Sequence, residues 1–474
     1  MTPPRRSVDG KGKGRTMLGG EPMGRNRSMA LSRRTGAIAL GLVVALAGCG
    51  NRETPLEGER FGTRVPLAAT LTGDAETEAD AQADVARAIN LPAANTFSSW
   101  AQRGYDAQNA TPHAALSPNL TQVWSTNIGA GNSRRNRLTA DPVAGNGAVF
   151  TLDATAGVRA HSVSNGGLIW SADLTAGFDR GGNVSGGGLA LSGDTLYATT
   201  GYGELVALDA ASGAVRWRQR LGAGIGAPTV SGNTVYVVSR DNSAWAISTD
   251  VGRIRWELPS APARALLLGG AAPAVSGGTV VFPFGTGELV AARTDTGVRS
   301  WATAVAGGRL GVAYSNINDI TGDPVISGGT VYAGNQSGRV VALSASSGER
   351  LWTATEGSYS PVLVAGGSLF FVSDRNELIR LDASDGERVW GTELPLYVRE
   401  RERRRRAVFT HFGPILAGGR LIVASGDRQI RMFDPVSGAL VHTVALRGGA
   451  ASHPIVVNNT LMVVTGDGRL TAYR

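Results

Sequence analysis

The chain has 474 residues, 42% of them apolar and 18% charged, with 66 glycines and a single cysteine. This supports a sizeable core in one large domain or two or three small ones; one cysteine excludes an internal disulfide framework and any multi-cysteine zinc site. The net charge of +8 is concentrated in residues 1–48, which hold nine basic and two acidic side chains, so the remainder is nearly neutral and nucleic acid drops out as a partner.

In chain order, residues 1–28 are polar and rich in Gly and Arg, carry both lysines (Lys11 and Lys13), and precede Met29, from which a signal peptide of normal length would begin. They read as an upstream misreading of the start. Arg33-Arg34 form a basic flank, and residues 35–46 are apolar over the length of a signal h-region. Leu46-Ala47-Gly48-Cys49 then resembles the bacterial lipobox, in which the cysteine is acylated and the chain is cut before it. The expected organisation is a leader over 1–48, a lipidated flexible tether over 49–94, and one large domain over 95–474 with an N-terminal arm around Ser99-Trp100-Ala101-Gln102. No internal stretch reaches the ~18 continuous apolar residues of a membrane helix.

From residue 145 one phrase recurs eight times: a Gly/Asn turn, a β-branched or aromatic run, a polar turn, and a second run. Its first apolar residues are Val149, Leu196, Val235, Val280, Val331, Leu369, Leu421 and Leu461, spaced by 38 to 52 residues. Such a period, with about four short strands per unit, predicts an all-β, eight-bladed β-propeller of four-stranded antiparallel blades. Solenoid helices are excluded, because the apolar residues alternate at period two, as in Leu205-Val206-Ala207-Leu208, and Gly punctuates every few positions.

A second phrase follows the first, cleanest in Asp209-Ala210-Ala211-Ser212-Gly213-Ala214-Val215-Arg216-Trp217. The Gly-x-x-x-Trp spacing is kept at Gly166/Trp170, Gly252/Trp256, Gly297/Trp301, Gly348/Trp352 and Gly386/Trp390. The Gly suits a left-handed turn between third and fourth strands, the Asp or Ser can bond turn amides, and the Trp ring fills the wedge between diverging blades. In the seventh unit Gly438 remains but His442 replaces Trp, so that seam is expected to pack less well. The eighth unit has no outer strand of its own, whereas Leu120-Thr121-Gln122-Val123-Trp124-Ser125 is a Trp-bearing strand without a preceding unit. Together they predict closure of the ring by N- and C-terminal strands.

The Asp-x-x-Ser-Gly-x-x-x-Trp units resemble the pyrroloquinoline-quinone-type propeller repeat. With the lipobox and Ile317-Asn318-Asp319-Ile320-Thr321-Gly322-Asp323-Pro324-Val325, the chain resembles the BamB family, lipoproteins of the machine that inserts β-barrels into the outer membrane. The resemblance covers residues 46–49 and 95–474. It implies a non-catalytic scaffold with no cofactor and no metal, anchored through Cys49 to the periplasmic face of the outer membrane. Gly50 follows Cys49, rather than the Asp that retains enteric lipoproteins in the inner membrane. The implied partner is the BamA insertase, with other assembly lipoproteins alongside, bound by inter-blade loops on one face. Those loops would be Arg264, Leu266, Leu267 and Leu268, and Asn318, Asp319 and Ile320. The first departs from the family pattern: Leu268 stands where Arg is expected, and Arg264 lies earlier. Three leucines there equally suit the buried first strand of a blade.

Two rivals stay open: a quinoprotein dehydrogenase and a propeller scaffold of another envelope complex. The dehydrogenase would need a quinone pocket, calcium-binding carboxylates and a catalytic Asp, and the vicinal disulfide of that class is excluded by the lone cysteine. The histidines, His113, His161, His411, His442 and His453, show no metal spacing, and His161 and His442 fall on strand positions where packing is expected. Gly222-Ala223-Gly224-Ile225-Gly226 leads into a strand rather than a helix, which suits a connecting loop and not a phosphate site. The run from Arg399 to Arg406, including Arg403, Arg404, Arg405 and Arg406, is expected in a surface loop. That loop is either simply solvated or docks electrostatically on an acidic protein surface or anionic lipid.

Overall fold

The computed structural model describes residues 86–179, 184–263, 269–305, 307 and 317–474. Within them each repeat folds as predicted into a four-stranded antiparallel sheet, and the eight sheets form the ring of an eight-bladed β-propeller. Blade 1 comprises Val143–Gly145, Ala148–Leu152, Gly157–Ser162 and Leu168–Asp173, and blades 2 to 7 follow over residues 189–220, 229–259, 274–304, 325–354, 363–393 and 411–445. Blade 8 takes three strands, Ile455–Val457, Thr460–Thr465 and Arg469–Tyr473, from the far end of the chain and its fourth, Gln122–Asn127, from the near end. Asn127 pairs with Arg469 and Gln122 with Tyr473, so the ring closes by strand pairing, as expected.

The first strand of each blade lies innermost, against its neighbours' first strands, and is buried; the fourth faces out, as the alternating exposure of Leu168–Asp173 shows. Leu205, Val206, Ala207 and Leu208 are all fully buried. Their run does not alternate between core and water, because each blade is covered on both faces by its neighbours. Antiparallel meandering sorts the loops. First-to-second and third-to-fourth turns share one face of the ring, called here the turn face. Second-to-third turns and all blade-to-blade connections share the other, the connection face.

The Gly-x-x-x-Trp spacing acts between blades rather than within one. Trp124, Trp170, Trp217, Trp256, Trp301, Trp352 and Trp390 each lie against the turn glycine of the next blade: Gly166, Gly213, Gly252, Gly297, Gly348, Gly386 and Gly438. All seven glycines have φ between +68° and +79°, and a Cβ there would stand 2.5–2.6 Å from the ring. Each indole Nε1 donates to a backbone carbonyl of that next blade, as in Trp170 to Ala210 at 2.9 Å and Trp352 to Ala383 at 3.0 Å. A close aromatic contact and a satisfied indole N–H therefore recur at seven seams.

His442, expected to be packed, is exposed. The reason is the closure. In blade 8 the third and fourth strands come from opposite ends of the chain, so no turn glycine exists to receive a ring from blade 7. That seam is bridged from the other side, by Tyr473 Oη donating to Ala445 O at 3.1 Å.

Candidate docking face and the plugged channel

The arm does not lie along the outside of the propeller. Its first described residues run under blade 6, where Arg380 Nη1 donates to Arg87 O at 2.6 Å and Arg87 pairs with Asp382 at 2.7 Å. Arg380 stands opposite Trp390 in register, at the position held by Ala in the third strands of blades 1 to 5. Its buried guanidinium, whose pKa burial lowers, also reaches Pro435 O and the face of Phe370.

The arm then bonds to successive blades around the mouth of the channel. Asn458 of blade 8 donates to Phe97 O, and Trp100 exchanges two hydrogen bonds with Ala144 of blade 1. Leu191 of blade 2 donates to Ala101 O, and the Gln102 amide brackets Val230 of blade 3 with two bonds of 2.9 Å. Val275 of blade 4 and Ile326 of blade 5 donate to Ala107 O and Gln108 O, and Ala114 bonds to Leu416 of blade 7. His113 fastens the return: its Nε2 accepts from Gly419 N at 2.9 Å, so its Nδ1 donates to Pro92 O at 2.6 Å. These contacts lie towards the turn face, which the arm caps.

From this cap Arg103 projects into the ring. Its Nε is 2.8 Å from Asp141 Oδ2 and 3.3 Å from Asp323 Oδ2, and its Nη1 donates to Gly270 O at 3.0 Å. Asp141 immediately precedes blade 1 and Asp323 blade 5, opposite positions in a ring of eight, so one guanidinium spans the axis. Burial pushes Asp141 up, but attraction to His453 and Arg103 and hydrogen bonds from His453 overrule it and hold the group at about 2. Burial dominates at Asp323 and leaves it raised, despite Arg103 and the Ala272 N–H donated at 2.7 Å. Asp323 and Asp141 raise the pKa of Arg103 against its own burial. Sequence reasoning missed this cluster. Its trace is the shared Asp-Pro-Val at 141–143 and 323–325, where blades 3 and 4 begin with Ala-Pro.

Arg264, Leu266, Leu267 and Leu268 lie outside the described residues. Gly269 and Gly270, just after them, line the same concavity as Asp319, together with Gly187, Arg240 and Asn242. Asn318 is exposed, but Asp319 is 6% exposed and Ile320 is packed among Ile326, Val331 and Val341. This loop therefore turns its carboxylate and its apolar side chain inward. Arg403, Arg404, Arg405 and Arg406 are exposed on a hairpin connecting blades 6 and 7 on the connection face. Of the remaining histidines, His161 is buried and lies 3.2 Å from Gly166 O, and His411 is buried with its pKa lowered by desolvation. Residues 222–226 form a connecting loop that leads to the strand Thr229–Ser231. Among the described residues no three His, Cys, Asp or Glu side chains converge to hold a metal. Cys49 also lies outside the described residues.

A family profile described as "Outer membrane protein assembly factor BamB" matches residues 154–392 and 402–474, more than half of the chain. The chain belongs to the BamB family. The profile match breaks at 393–401, at the start of the arginine hairpin. The chain is 28% identical over 250 residues to the BamB of Yersinia pestis, covering 52% of this chain and 63% of that relative, less than two thirds of its length. It is 26% identical over 373 residues to BamB of Burkholderia pseudomallei (strain K96243), covering 77% and 91%. BamB from Moraxella catarrhalis superposes with a TM-score of 0.62 at 19% identity, covering 75% of this chain and all of that one. The quinohemoprotein alcohol dehydrogenase of Comamonas testosteroni also reaches 0.62, at 15% identity, over 80% and 81%. At such identities the two structures show the shared fold alone. A quinone and calcium would need free carboxylates to hold the calcium. In this BamB-family chain the carboxylates of Asp141 and Asp323 are both engaged by Arg103, and the set does not fit that group.

Proposed function

We propose that this BamB-family chain is a periplasmic lipoprotein, held at the outer membrane through Cys49. In this reading it docks on a BamA-like insertase through its connection face and assists the insertion of outer-membrane β-barrels without catalysing a reaction. Other assembly lipoproteins are further partners. The observation that carries this reading, beside family membership, is the asymmetry of the ring. Among the described residues, the arm caps the turn face and does not cover the connection face, which carries the inter-blade connections.

The proposed contacts are Arg264, Leu266, Leu267 and Leu268 together with the Asn318, Asp319 and Ile320 loop. Because Asp319 and Ile320 face inward, Asn318 is the side chain of that loop that reaches a partner, with the other two holding its shape. Phe178, 70% exposed on the connection after blade 1 and stacked edge-on against Tyr202, offers an aromatic anchor on the same face. The test is co-purification with the BamA-like partner, paired with a thermal melt. Leu267→Glu with Asn318→Arg should abolish capture while the melt stays unchanged, and retained capture would overturn this face. Supplying the quinone and calcium and finding cofactor absorbance with dye reduction would overturn the non-catalytic reading.

A further inference from the structure

The segment 395–410 is a built hairpin rather than a slack loop. At its foot Asn376 Nδ2 donates to both Pro395 O (3.2 Å) and Phe409 O (3.0 Å), and His411 Nε2 lies 2.9 Å from Pro395 O. Its arms are joined by Phe409 N to Leu396 O at 2.9 Å and Val398 N to Ala407 O at 3.0 Å. Its tip is one turn of 3-10 helix, Glu402–Arg404. Arg405 clamps the tip to the arm: its guanidinium lies 4.9 Å above the Tyr397 ring, and its Nε donates to Glu400 O at 3.0 Å.

With Arg405 so engaged, Arg399, Arg401, Arg403, Arg404 and Arg406 remain exposed, and none of them forms an ion pair among the described residues. Some arginines elsewhere on the surface are paired, Arg216 with Asp194 and Asp209, and Arg388 with Glu356 and Glu377. The run 399–406 holds six arginines and two glutamates, on a chain that beyond its first 48 residues is otherwise close to neutral.

We propose that this hairpin is a preformed docking element for a carboxylate-rich segment of a protein partner. Guanidinium forks suit bidentate pairing with carboxylates, and a fixed tip lowers the cost of ordering long side chains on binding. Two considerations favour a protein over a lipid surface. Attraction of basic residues to anionic head groups is diffuse and needs no clamped tip. Glu400 and Glu402 are interspersed among the arginines and oppose a uniformly anionic plane. The inference does not rest on docking to the insertase and survives its failure.

The test uses the full chain carrying Cys49→Ser and a fluorescent decaglutamate peptide, with binding read by anisotropy at about 50 mM salt. Reversing Arg403, Arg404 and Arg406 to Glu together should weaken binding at least about ten-fold, with an unchanged thermal melt. Tyr397→Ala keeps every charge but releases the clamp, and should weaken binding about three-fold. Undiminished binding in the triple variant overturns the assignment of the site. Undiminished binding in Tyr397→Ala overturns the preformed element. Tighter capture by phosphatidylglycerol vesicles than by the peptide overturns the choice of partner.

Discussion

Arg103 Nε and Asp141 Oδ2 lie 2.8 Å apart, with the arginine side chain 15% and the aspartate 4% exposed, joining the N-terminal arm to the first blade. Removing the cation alone would leave two buried carboxylates with only the contacts of His453 to Asp141 and of Ala272 N–H to Asp323. Arg103→Ala should therefore cost roughly 3–5 kcal/mol in a urea melt. Combining Arg103→Met with Asp141→Asn and Asp323→Asn should recover much of that loss, because an uncharged set leaves no orphaned ion.

The same cluster shapes the acid limb of stability. Asp141 is held at about 2 rather than 3.8, so its contribution is complete above about pH 4 and is lost as the pH falls towards 2. Asp323 is raised, so its ionisation opposes folding above the usual carboxylate range and protonation relieves it. Asp141→Asn should flatten the loss of stability between pH 4 and 2, whereas Asp323→Asn should act above about pH 4, where it removes the gain that protonation of Asp323 brings on acidification. Melts from neutral pH down to about pH 2 check both slopes, and parallel curves for the two variants would contradict the assignment.

At the seam of blades 5 and 6, Trp352→Ala should cost roughly 3–5 kcal/mol from lost transfer and a cavity. Gly386→Ala should also destabilise, because its φ is +79° and its new Cβ would lie 2.5 Å from the Trp352 ring. The double variant should lose less than the sum, since removal of the ring makes room for the methyl group. A double-mutant cycle in denaturant measures the difference.

The closing seam behaves otherwise. Tyr473→Phe removes its bridge to Ala445 and should cost about 1 kcal/mol. His442→Trp, which restores the repeat, should change stability by less than about 0.5 kcal/mol, because no glycine faces the new ring. A clear gain from His442→Trp would mean that the seam accepts an indole after all.

Release of the chain from membranes by Cys49→Ser, in cells lacking the docking partner, is the expected result of fractionation. Retention would contradict lipid anchoring.

The blades were legible because each is built by the same local chemistry: a left-handed glycine, a capped turn and an indole four residues on. His442 misled because repeat logic treats every unit alike, whereas the missing turn in blade 8 is a property of the whole ring. An arm was expected around Ser99 to Gln102, but its path was not legible, for the opposite reason. Its bonds to Ala144, Leu191, Val230, Val275 and Ile326 join single positions far apart in sequence, with no periodicity to announce them. The candidate docking loops were placed on one face, yet the inward turn of Asp319 and Ile320 depends on how the connection folds back over blade 5, which composition does not record.

Blade 8 joins residue 122 to residue 473, the longest-range strand pairing among the described residues. Seven blades can be assembled in order from neighbours close in sequence, but the eighth waits for the final strand to meet the first. Pairing across that separation costs more chain entropy than closing any of the other blades, which favours closure as a late step. Removing Arg469–Tyr473 would do more than trim a strand. It would strip Gln122–Asn127 of its partner and leave Trp124 unsupported over Gly166, so a few lost residues at one end would unfasten the other.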